Sequence, residues 1–292
     1  MTAWSTWVSV ARPHILTIVF FATLTYGWIF TGRFDLLIPL VAVWDWFIVN
    51  FTNKATDVEE DLANGIPGAE AVAAHARAVE RLCWFMIAAG LGAGLWLTPS
   101  IMGYRVAFTL IGLAYNYDLV PVWRGKLAFT RFKELYFFKN FGSSVLFTVS
   151  VFLYPYVGLG ATYPLVKLLL AIAFFIPLEL TYEIFYDLRD VEGDRVVGVP
   201  TYPVVHGVRR AKQIIHGLIA VSAVAPLVGA VAGLLAFKEW CVVAACAQQL
   251  ILMRVYAPGA RLPTHADAVR ITYIGAAQLA SYCGWVAAGL PL

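Results

Sequence analysis

The sequence predicts an all-α protein that crosses a membrane several times. Hydrophobic residues make up 61% of the 292 positions and charged residues only 13%. A soluble domain usually has about 45–50% hydrophobic residues and about 25% charged residues. Long apolar stretches recur along the chain, and no series of alternating ten-residue strands is visible. Lipid cannot satisfy the open edge of a sheet, so membrane-crossing strands are not expected.

Nine segments have roughly the 20 mostly apolar residues that a membrane-crossing helix needs. They cover residues 14–31, 36–53, 82–98, 101–117, 134–153, 164–185, 212–233, 238–256 and 270–289. The turns between the third and fourth and between the seventh and eighth segments are short, so these two divisions are the weakest. No linker or low-complexity stretch interrupts the chain, so we expect a single domain over residues 1–292.

The basic residues indicate an orientation for these spans. Nine spans place the loops near residues 54–81, 118–133, 186–212 and 257–269 on the same side as the N-terminus. Of the 21 Lys and Arg residues, only Arg33, Arg105, Lys167 and Lys238 lie near the opposite side. Short basic loops remain in the cytoplasm, so we expect a cytoplasmic N-terminus and cytoplasmic long loops, in the inner membrane if the source is bacterial. Residues 1–12 have no signal-peptide pattern. The net charge of +3 gives no reason to expect a nucleic-acid partner.

Two clusters of acidic and amide side chains lie at the ends of very apolar spans. The first consists of Asn53, Asp57 and Asp61, and the second of Asp187, Asp190 and Asp194. Spacings of three and four predict that each cluster occupies one helix face. Both clusters fall on the side of the membrane where the basic loops gather.

Stacked carboxylates repel each other, and ionised groups near lipid are costly. A Mg2+ ion removes both penalties, because it takes oxygen ligands and commonly bridges one or two carboxylates to substrate phosphates. The alternative for either cluster alone is a solvated acidic helix end. The presence of two clusters at matching depth favours a Mg2+–diphosphate site.

The two clusters resemble the paired aspartate-rich motifs of the UbiA superfamily of intramembrane prenyltransferases. The second motif continues into Gly198-Val-Pro-Thr201, and Arg12-Pro13 before the first span is similar to the opening of family members. Two departures stand out: Lys54 replaces an aspartate frequent in the family, and Asn64-Gly-Ile-Pro67 replaces its Arg-Pro stretch. We expect Lys54 to pair with Glu59 or Glu60.

The resemblance implies a fold of helices around a central cavity. It also implies a reaction: Mg2+-dependent ionisation of an isoprenyl diphosphate, followed by transfer of the prenyl group to a lipophilic acceptor within the membrane lipid. It implies that Asn53, Asp57 and Asp61 bind one part of the metal site and that Asp190 and Asp194, assisted by Asp187, bind the other. Asp57, Asp61, Asp190 and Asp194 are then the catalytic carboxylates.

A diphosphate also needs cations and hydroxyl groups of the protein. The residues that we select for substrate binding lie at the end of the fourth span, in the loop after it, at the start of the fifth span and before the first span: Tyr115, Lys126, Lys133, Lys139 and Arg12. The alternative is ordinary cytoplasmic positive charge. Helical geometry predicts that Arg189 faces away from the aspartate stripe.

Three further acids, Asp45, Glu179 and Glu183, lie deeper in the spans. Glu179, Glu183 and Asp187 are spaced by four and share a predicted helix face. Intramembrane acids are expected to point into a cavity or to find partners. We select Glu183 as a substrate-binding residue, while internal hydrogen bonds that fix helix packing are the alternative for all three.

Three classes of function fit these patterns. Prenyl transfer to an acceptor fits best, and a UbiA-type terpene cyclase, in which the substrate's own double bond attacks, is the alternative within enzymes. A transporter is a further alternative, since intramembrane acids also mark ion pathways. The acids concentrate at one membrane face, which favours a site open to one side over a pathway across the membrane.

Overall fold

The computed structural model describes residues 3–123, 125–259 and 261–289, and helices account for most of them. The helices are α1 (Ala3–Val10), α2 (Pro13–Thr31), α3 (Leu37–Thr56), α4 (Val58–Ala63), α5 (Ala69–Leu97), α6 (Met102–Asn116), α7 (Phe138–Thr148), α8 (Tyr154–Gly158), α9 (Leu165–Val197), α10 (Tyr202–His206), α11 (Val208–Val231), α12 (Phe237–Tyr256) and α13 (His265–Ala287). Short 3-10 turns cover Pro99–Ile101 and Phe132–Glu134, and a π-helical segment, Val149–Leu153, joins α7 to α8.

The predicted all-α fold class is confirmed, and each of the nine predicted spans overlaps a helix, although most of the predicted ends differ from the helix ends. Five helices of the described chain are long and apolar enough to cross a membrane: Pro13–Thr31, Ala69–Leu97, Phe138–Gly158, Leu165–Val197 and Val208–Val231. Helix α6 has only 15 residues, and α3 carries Asp45, Asn53 and Lys54 among its apolar residues. The protein is therefore an integral membrane protein in which some helices have a strongly polar face.

Two helices extend well beyond the spans predicted for them. Helix α5 begins at Ala69, whereas the prediction begins at residue 82, and α9 continues to Val197, past the predicted end at residue 185. The α5 extension is rich in alanine, glutamate and arginine, which favour helix. The α9 extension contains three aspartates and two arginines, and the charged residues make both extensions too polar for a hydropathy pattern to include. The extension of α9 carries the second aspartate cluster.

A β-hairpin lies between α6 and α7 and was not predicted. Strand β1 (Val120–Trp123) pairs antiparallel with β2 (Leu127–Thr130), with Trp123 opposite Leu127. Gly125 in the turn has φ +76°, a left-handed conformation that glycine adopts without steric cost. The hairpin leads directly into the Phe132–Glu134 turn, which carries Lys133.

The core consists of two main groups of buried apolar side chains. One group joins α2, α3 and the α7–α8 helix through residues such as Tyr26, Trp46 and Phe152. The other joins α9, α11 and α13 through residues such as Ile184 and Ile215. Helices α2, α3, α7 and α9 thereby hold their ends close together, and the two aspartate clusters are found at those ends.

Asp45, one of the three deep acids, takes part in a buried network that fixes helix packing. Its carboxylate accepts two hydrogen bonds from Arg105, at 2.7 and 2.9 Å, and one from the Tyr154 hydroxyl at 2.9 Å. Arg105 also donates to the carbonyl oxygen of Gly90 at 2.9 Å. The network joins α3, α5, α6 and α8, so Asp45 has the structural role that was the alternative in the sequence analysis.

We expect Asp45→Ala to lower the free energy of unfolding by about 3–5 kcal/mol, because it leaves the buried Arg105 guanidinium without its counter-charge. The measurement is thermal unfolding in detergent. The double variant Asp45→Ala/Arg105→Met removes both charges and is expected to be more stable than the single variant. Equal stability of Asp45→Ala and the unaltered protein would contradict a structural role for this pair.

Candidate active site

A single cleft, which we call the aspartate cleft, collects most of the side chains selected from the sequence. It has an empty volume of about 980 Å³, including its mouth. Its charged lining residues are Arg12, Asp57, Glu60, Asp61, Lys133, Lys139, Glu183, Asp187, Arg189 and Asp190, and its uncharged polar ones are Asn50, Asn53, Asn64, Tyr115, Ser143 and Tyr186. Acidic and basic groups are therefore mixed within one concave site.

The first aspartate cluster is not carried by one continuous helix, which corrects the sequence prediction. Helix α3 ends at Thr56, and Asp57 has φ −108° and ψ 26° at the junction with α4. Asn53 still donates a hydrogen bond to Asp57, as the spacing of four predicts. Asp61 lies in the separate helix α4 and lines the cleft from there.

Lys54 contacts Asp61 rather than Glu59 or Glu60, contrary to the prediction. The distance between Lys54 Nζ and Asp61 Oδ2 is 2.6 Å, and both side chains are buried. Lys54 and Asp61 are seven residues apart, on the two sides of the break at Asp57. The lysine that departs from the family pattern thus supplies the counter-charge of a cluster aspartate.

The second cluster lies on the unbroken helix α9, as predicted. Asp187 accepts a hydrogen bond from Asn140 Nδ2 at 2.7 Å and pairs with Lys139 Nζ at 3.0 Å. Lys139 also lies 3.5 Å from Asp194, which is fully buried and does not line the cleft. Asp194 therefore reaches the cleft only through Lys139.

Arg189 and Asp190 form an ion pair at the rim of this cluster. Both side chains line the cleft, so the prediction that Arg189 faces away from the aspartates is wrong. A long arginine side chain can return to its helix neighbour, and helix-wheel geometry describes only where its Cβ points. The Arg189 guanidinium also lies 4.8 Å from the centre of the Tyr186 ring, which holds it toward the cleft.

Lys133 is the most buried cation of the cleft, with 1% of its surface exposed. Its Nζ lies 2.6 Å from both Asp57 Oδ1 and Glu60 Oε2. Burial alone raises the pKa of Glu60, but the ammonium groups of Lys133 and Lys139 outweigh it and hold that pKa below its ordinary value. Glu60 is accordingly an ionised member of the site.

The remaining selected residues divide between the cleft and the surface. Arg12 has left-handed φ of 49° at the start of α2 and donates to Asn50 Oδ1 at 3.3 Å. Tyr115 lines the cleft, as does Glu183, which accepts a hydrogen bond from Ser143 at 2.8 Å. Lys126 lies exposed in the turn of the hairpin and is not among the lining residues.

Sequence reasoning missed Glu60 and Asn64 as lining residues. Glu60 is three residues after Asp57 and Asn64 is three residues after Asp61, so a spacing signal was present. The signal was obscured because Glu59, Glu60 and Asp61 are consecutive, and spacing alone does not tell which acids of a run face inward.

Asn64 links the two clusters directly. Its Oδ1 accepts a hydrogen bond from the backbone N–H of Gly193, at 3.1 Å, in the segment between Asp190 and Asp194. A Cβ atom on residue 193 would lie 2.0 Å from that oxygen. Glycine at this position therefore allows the loop after the first cluster to pack on the helix that carries the second.

We expect Gly193→Ala to lower the free energy of unfolding by about 1–3 kcal/mol, because the added methyl group overpacks the contact with Asn64. Thermal unfolding in detergent measures the effect. The double variant Gly193→Ala/Asn64→Ala removes the clashing amide and is expected to recover part of the loss, as a double-mutant cycle would show. Additive losses in the cycle would contradict this account.

The donor set of the cleft fits a hard divalent cation. Among the residues that the structure describes, no three His, Cys, Asp or Glu side chains form a ready-made metal site. Mg2+ does not require one, since it commonly binds through one or two carboxylates plus waters and phosphates. The available donors are the oxygens of Asp57, Asp61, Asp187 and Asp190, and Asp194 Oδ1 is buried with no hydrogen-bond partner in the described chain.

Solved structures of similar fold were found that cover nearly the whole chain. A UbiA homolog from Archaeoglobus fulgidus bound to DMAPP and Mg2+ matches with a TM-score of 0.73 and 17% identity, covering 95% of this chain and 97% of that one. The same homolog bound to GPP and Mg2+ matches with a TM-score of 0.71 and 15% identity over the same shares. A structure described under digeranylgeranylglyceryl phosphate synthase in membranes matches with a TM-score of 0.58 and 16% identity, covering 97% of this chain and 98% of that one.

Sequence comparison adds the family. No curated protein matches the chain by sequence. The model of the UbiA prenyltransferase family matches residues 75–272, which is more than half of the chain and includes the second aspartate cluster. The resemblance seen in the two motifs is confirmed, and the chain belongs to the UbiA prenyltransferase family.

Proposed function

We propose that this protein binds an isoprenyl diphosphate together with Mg2+ in the aspartate cleft and transfers the prenyl group to a lipophilic acceptor. The observation that carries the proposal is the convergence of the two clusters on one cleft that also contains Arg12, Lys133 and Lys139. The structural relatives with DMAPP and GPP bound beside Mg2+ support it. Asn53, Asp57, Asp61, Asp187, Asp190 and Asp194 are the proposed metal-binding residues.

In this proposal, the carboxylates hold the metal and the cations hold the diphosphate. Lys133 and Lys139 pair with aspartates in the structure, and each is free to turn to a phosphate oxygen once a metal takes over the carboxylate charge. Arg12 and the Tyr115 hydroxyl offer further donors from α2 and α6. Bound Mg2+ supplies Lewis-acid stabilisation of the negative charge that develops on the leaving group.

Ionisation breaks the bond between C1 of the prenyl chain and the bridging oxygen, and the electron pair leaves with the diphosphate. The donors of Lys133, Lys139 and Arg12 stabilise that charge, which is the largest contribution expected from fixed groups in such a site. The acceptor then forms a bond to C1 and loses a proton. Trp46 and Phe147, whose ring centres lie 4.2 Å apart, line the apolar part of the cleft and suit an allylic cation.

Terpene cyclisation is the second candidate. Tyr26, Phe147, Phe174, Phe175 and Tyr182 line an apolar chamber next to the cleft, and ring faces stabilise carbocations. In that case the substrate's own double bond replaces the external acceptor. The two candidates share the ionisation step and differ in whether an added acceptor is needed for a product.

We also propose that the cleft opens to the cytoplasm, because the basic residues gather on its side of the membrane. Lys126 at the exposed hairpin turn is a suitable reporter. A Lys126→Cys variant in intact cells is expected to react with a membrane-impermeant maleimide only after the cytoplasmic side is opened. Labelling from outside would reverse the proposed orientation.

The test of function is incubation of detergent-purified protein with C5 to C20 prenyl diphosphates and Mg2+, followed by mass spectrometry of products with and without a panel of phenols and alcohols. We expect Mg2+-dependent diphosphate release and a prenylated product. A hydrocarbon formed without acceptor would support the cyclase. No release from any donor under any of these conditions would refute both.

A further inference from the structure

The β-hairpin formed by β1 and β2 has one face that the described part of the chain leaves uncovered. Pro121 lies opposite Phe129, and Trp123 lies opposite Leu127. Residues directly opposite each other on antiparallel strands share a face. All four of these side chains are exposed, whereas the residues that alternate with them along the strands are partly or fully buried. We call these four residues the hairpin face, and all four are apolar.

The hairpin face exposes a large apolar area for a surface in contact with water. Trp123 is 78% exposed, Leu127 60% and Phe129 58%. Apolar surface gains about 25 cal/mol per Å² when it is removed from water, and exposed apolar patches mark sites of contact with a partner or a membrane. Tryptophan is enriched where a membrane meets water. The composition of the face therefore indicates an interfacial surrounding.

Two ion pairs fix the base of the hairpin beside the aspartate cleft. Arg131 and Lys133 follow β2 within three residues, and their nitrogen atoms lie 3.3 and 2.6 Å from Asp57 Oδ1. Asp57 itself follows the last residue of α3. A strand of four residues is about 14 Å long, so the turn of the hairpin cannot lie far from the end of α3.

The hairpin is also tied to the ends of two apolar helices. Helix α6 ends at Asn116, four residues before β1. The membrane-spanning helix Phe138–Gly158 begins eight residues after the end of β2, and Phe138 is itself exposed. The headgroup region on each side of a bilayer is about 5–8 Å thick. A hairpin of this length between two such helix ends is therefore attached at the depth where hydrocarbon gives way to headgroups.

The turn of the hairpin carries positive charge. Arg124 and Lys126 flank Gly125 in the sequence, and no aspartate or glutamate occurs from residue 119 to residue 133. The Lys126 side chain is exposed. A basic residue near an anionic membrane surface contributes about 1 kcal/mol to binding. An apolar face beside a basic turn matches the two sides of a phospholipid headgroup layer, which is apolar below and carries phosphate above.

We propose that the hairpin is an interfacial anchor and that its partner is bilayer phospholipid. The hairpin face lies in the headgroup layer of the leaflet on the side of the aspartate cleft, with Trp123 and Leu127 toward the acyl chains and Lys126 toward the lipid phosphates. Contact with lipid then holds the segment that carries Arg131 and Lys133 beside the first aspartate cluster. The inference does not depend on the proposed function, since its test contains no substrate.

The test places a nitroxide on the full chain at Leu127→Cys, in nanodiscs of phosphatidylcholine and phosphatidylglycerol. Electron paramagnetic resonance measures collisions with oxygen, which concentrates in hydrocarbon, and with a nickel chelate, which remains in water. Glu192→Cys, at a side chain that is 75% exposed on the extension of α9, is the matched control. The unaltered protein, treated in the same way, gives the background from the native cysteines.

We expect the ratio of oxygen to nickel-chelate accessibility at position 127 to exceed that at position 192 by about tenfold or more, because an apolar layer excludes a polar chelate. Equal ratios at the two positions would place the hairpin face in water and overturn the proposal. Low accessibility to both reagents would mean that protein covers the face and would also overturn it. Spin–spin broadening would then identify a second copy of the chain as the cover.

A variant of the hairpin face tests whether lipid contact holds the hairpin in place. Trp123→Gln/Phe129→Gln is expected to lower the ratio at position 127 by about threefold or more, because the apolar contribution of both rings is lost. Val196→Gln, at an exposed valine of α9, should leave the ratio unchanged. An unchanged ratio in the double variant would show that the ion pairs at the base place the hairpin without lipid contact, which would overturn the anchoring role.

Discussion

Replacing Asp57 or Asp190 by asparagine is expected to lower Mg2+-dependent diphosphate release by about 1,000-fold or more. Each substitution keeps the shape of the side chain and removes one negative ligand from a cluster that lines the cleft. Metal ions and fixed charges each contribute several kcal/mol to such reactions, and 1.36 kcal/mol corresponds to a factor of ten in rate. Release of diphosphate from geranyl diphosphate is the measurement.

The control for these variants is Asp118→Asn, which makes the same chemical change at an exposed position outside the cleft. We expect its rate to equal that of the unaltered protein. Binding of Mn2+, followed by its electron paramagnetic resonance signal in the presence of geranyl diphosphate, should weaken in Asp57→Asn and Asp190→Asn but not in the control. Full activity in either cleft variant would refute the metal assignment.

The second large loss of activity is expected when Lys133 is replaced. Lys133→Met should lower diphosphate release by about 100-fold, since it removes a buried cation from the proposed position of the leaving group. The same substitution at Lys126 should change the rate less than about twofold, because a single exposed charge is screened by solvent. Sequence reasoning selected both lysines for the diphosphate, so the pair tests how far the structure distinguishes them.

The loss in Lys133→Met has two components that can be separated. The substitution leaves Asp57 and Glu60 without the ammonium group that lies 2.6 Å from each, which destabilises the protein as well as the transition state. Thermal unfolding with and without geranyl diphosphate and Mg2+ reports the structural part. If Lys126→Met lowered the rate as much as Lys133→Met, the donor site would have to include the hairpin turn.

Part of this protein could be predicted from local sequence patterns. The excess of apolar residues requires lipid-facing helices, and the overlap of each predicted span with a helix follows from that requirement. The second cluster lies on one helix, as predicted, because α9 continues without interruption through Asp194, although only Asp187 and Asp190 of this cluster line the cleft. The two motifs sufficed to indicate the family, since spacing along a helix is a property of the local chain.

The tertiary structure decided the contacts that cross between elements. Lys54 meets Asp61 across the helix break at Asp57, and Asn64 packs on Gly193 of a distant helix. The hairpin places Lys133 inside the cleft and leaves Lys126 outside. These differences arise because a spacing rule describes one helix, while the direction of the next element depends on packing.

The three deep acids show the same difference between what the sequence predicts and what helix packing decides. Sequence alone identified Asp45, Glu179 and Glu183 as costly groups in apolar spans, because burying a carboxyl group requires a partner or a ligand. Only the packed helices showed that Asp45 meets Arg105, that Glu183 faces the aspartate cleft, and that Glu179 faces a separate chamber. The sequence determined that these residues need a compensating group, and the arrangement of the surrounding helices decided which group each one meets.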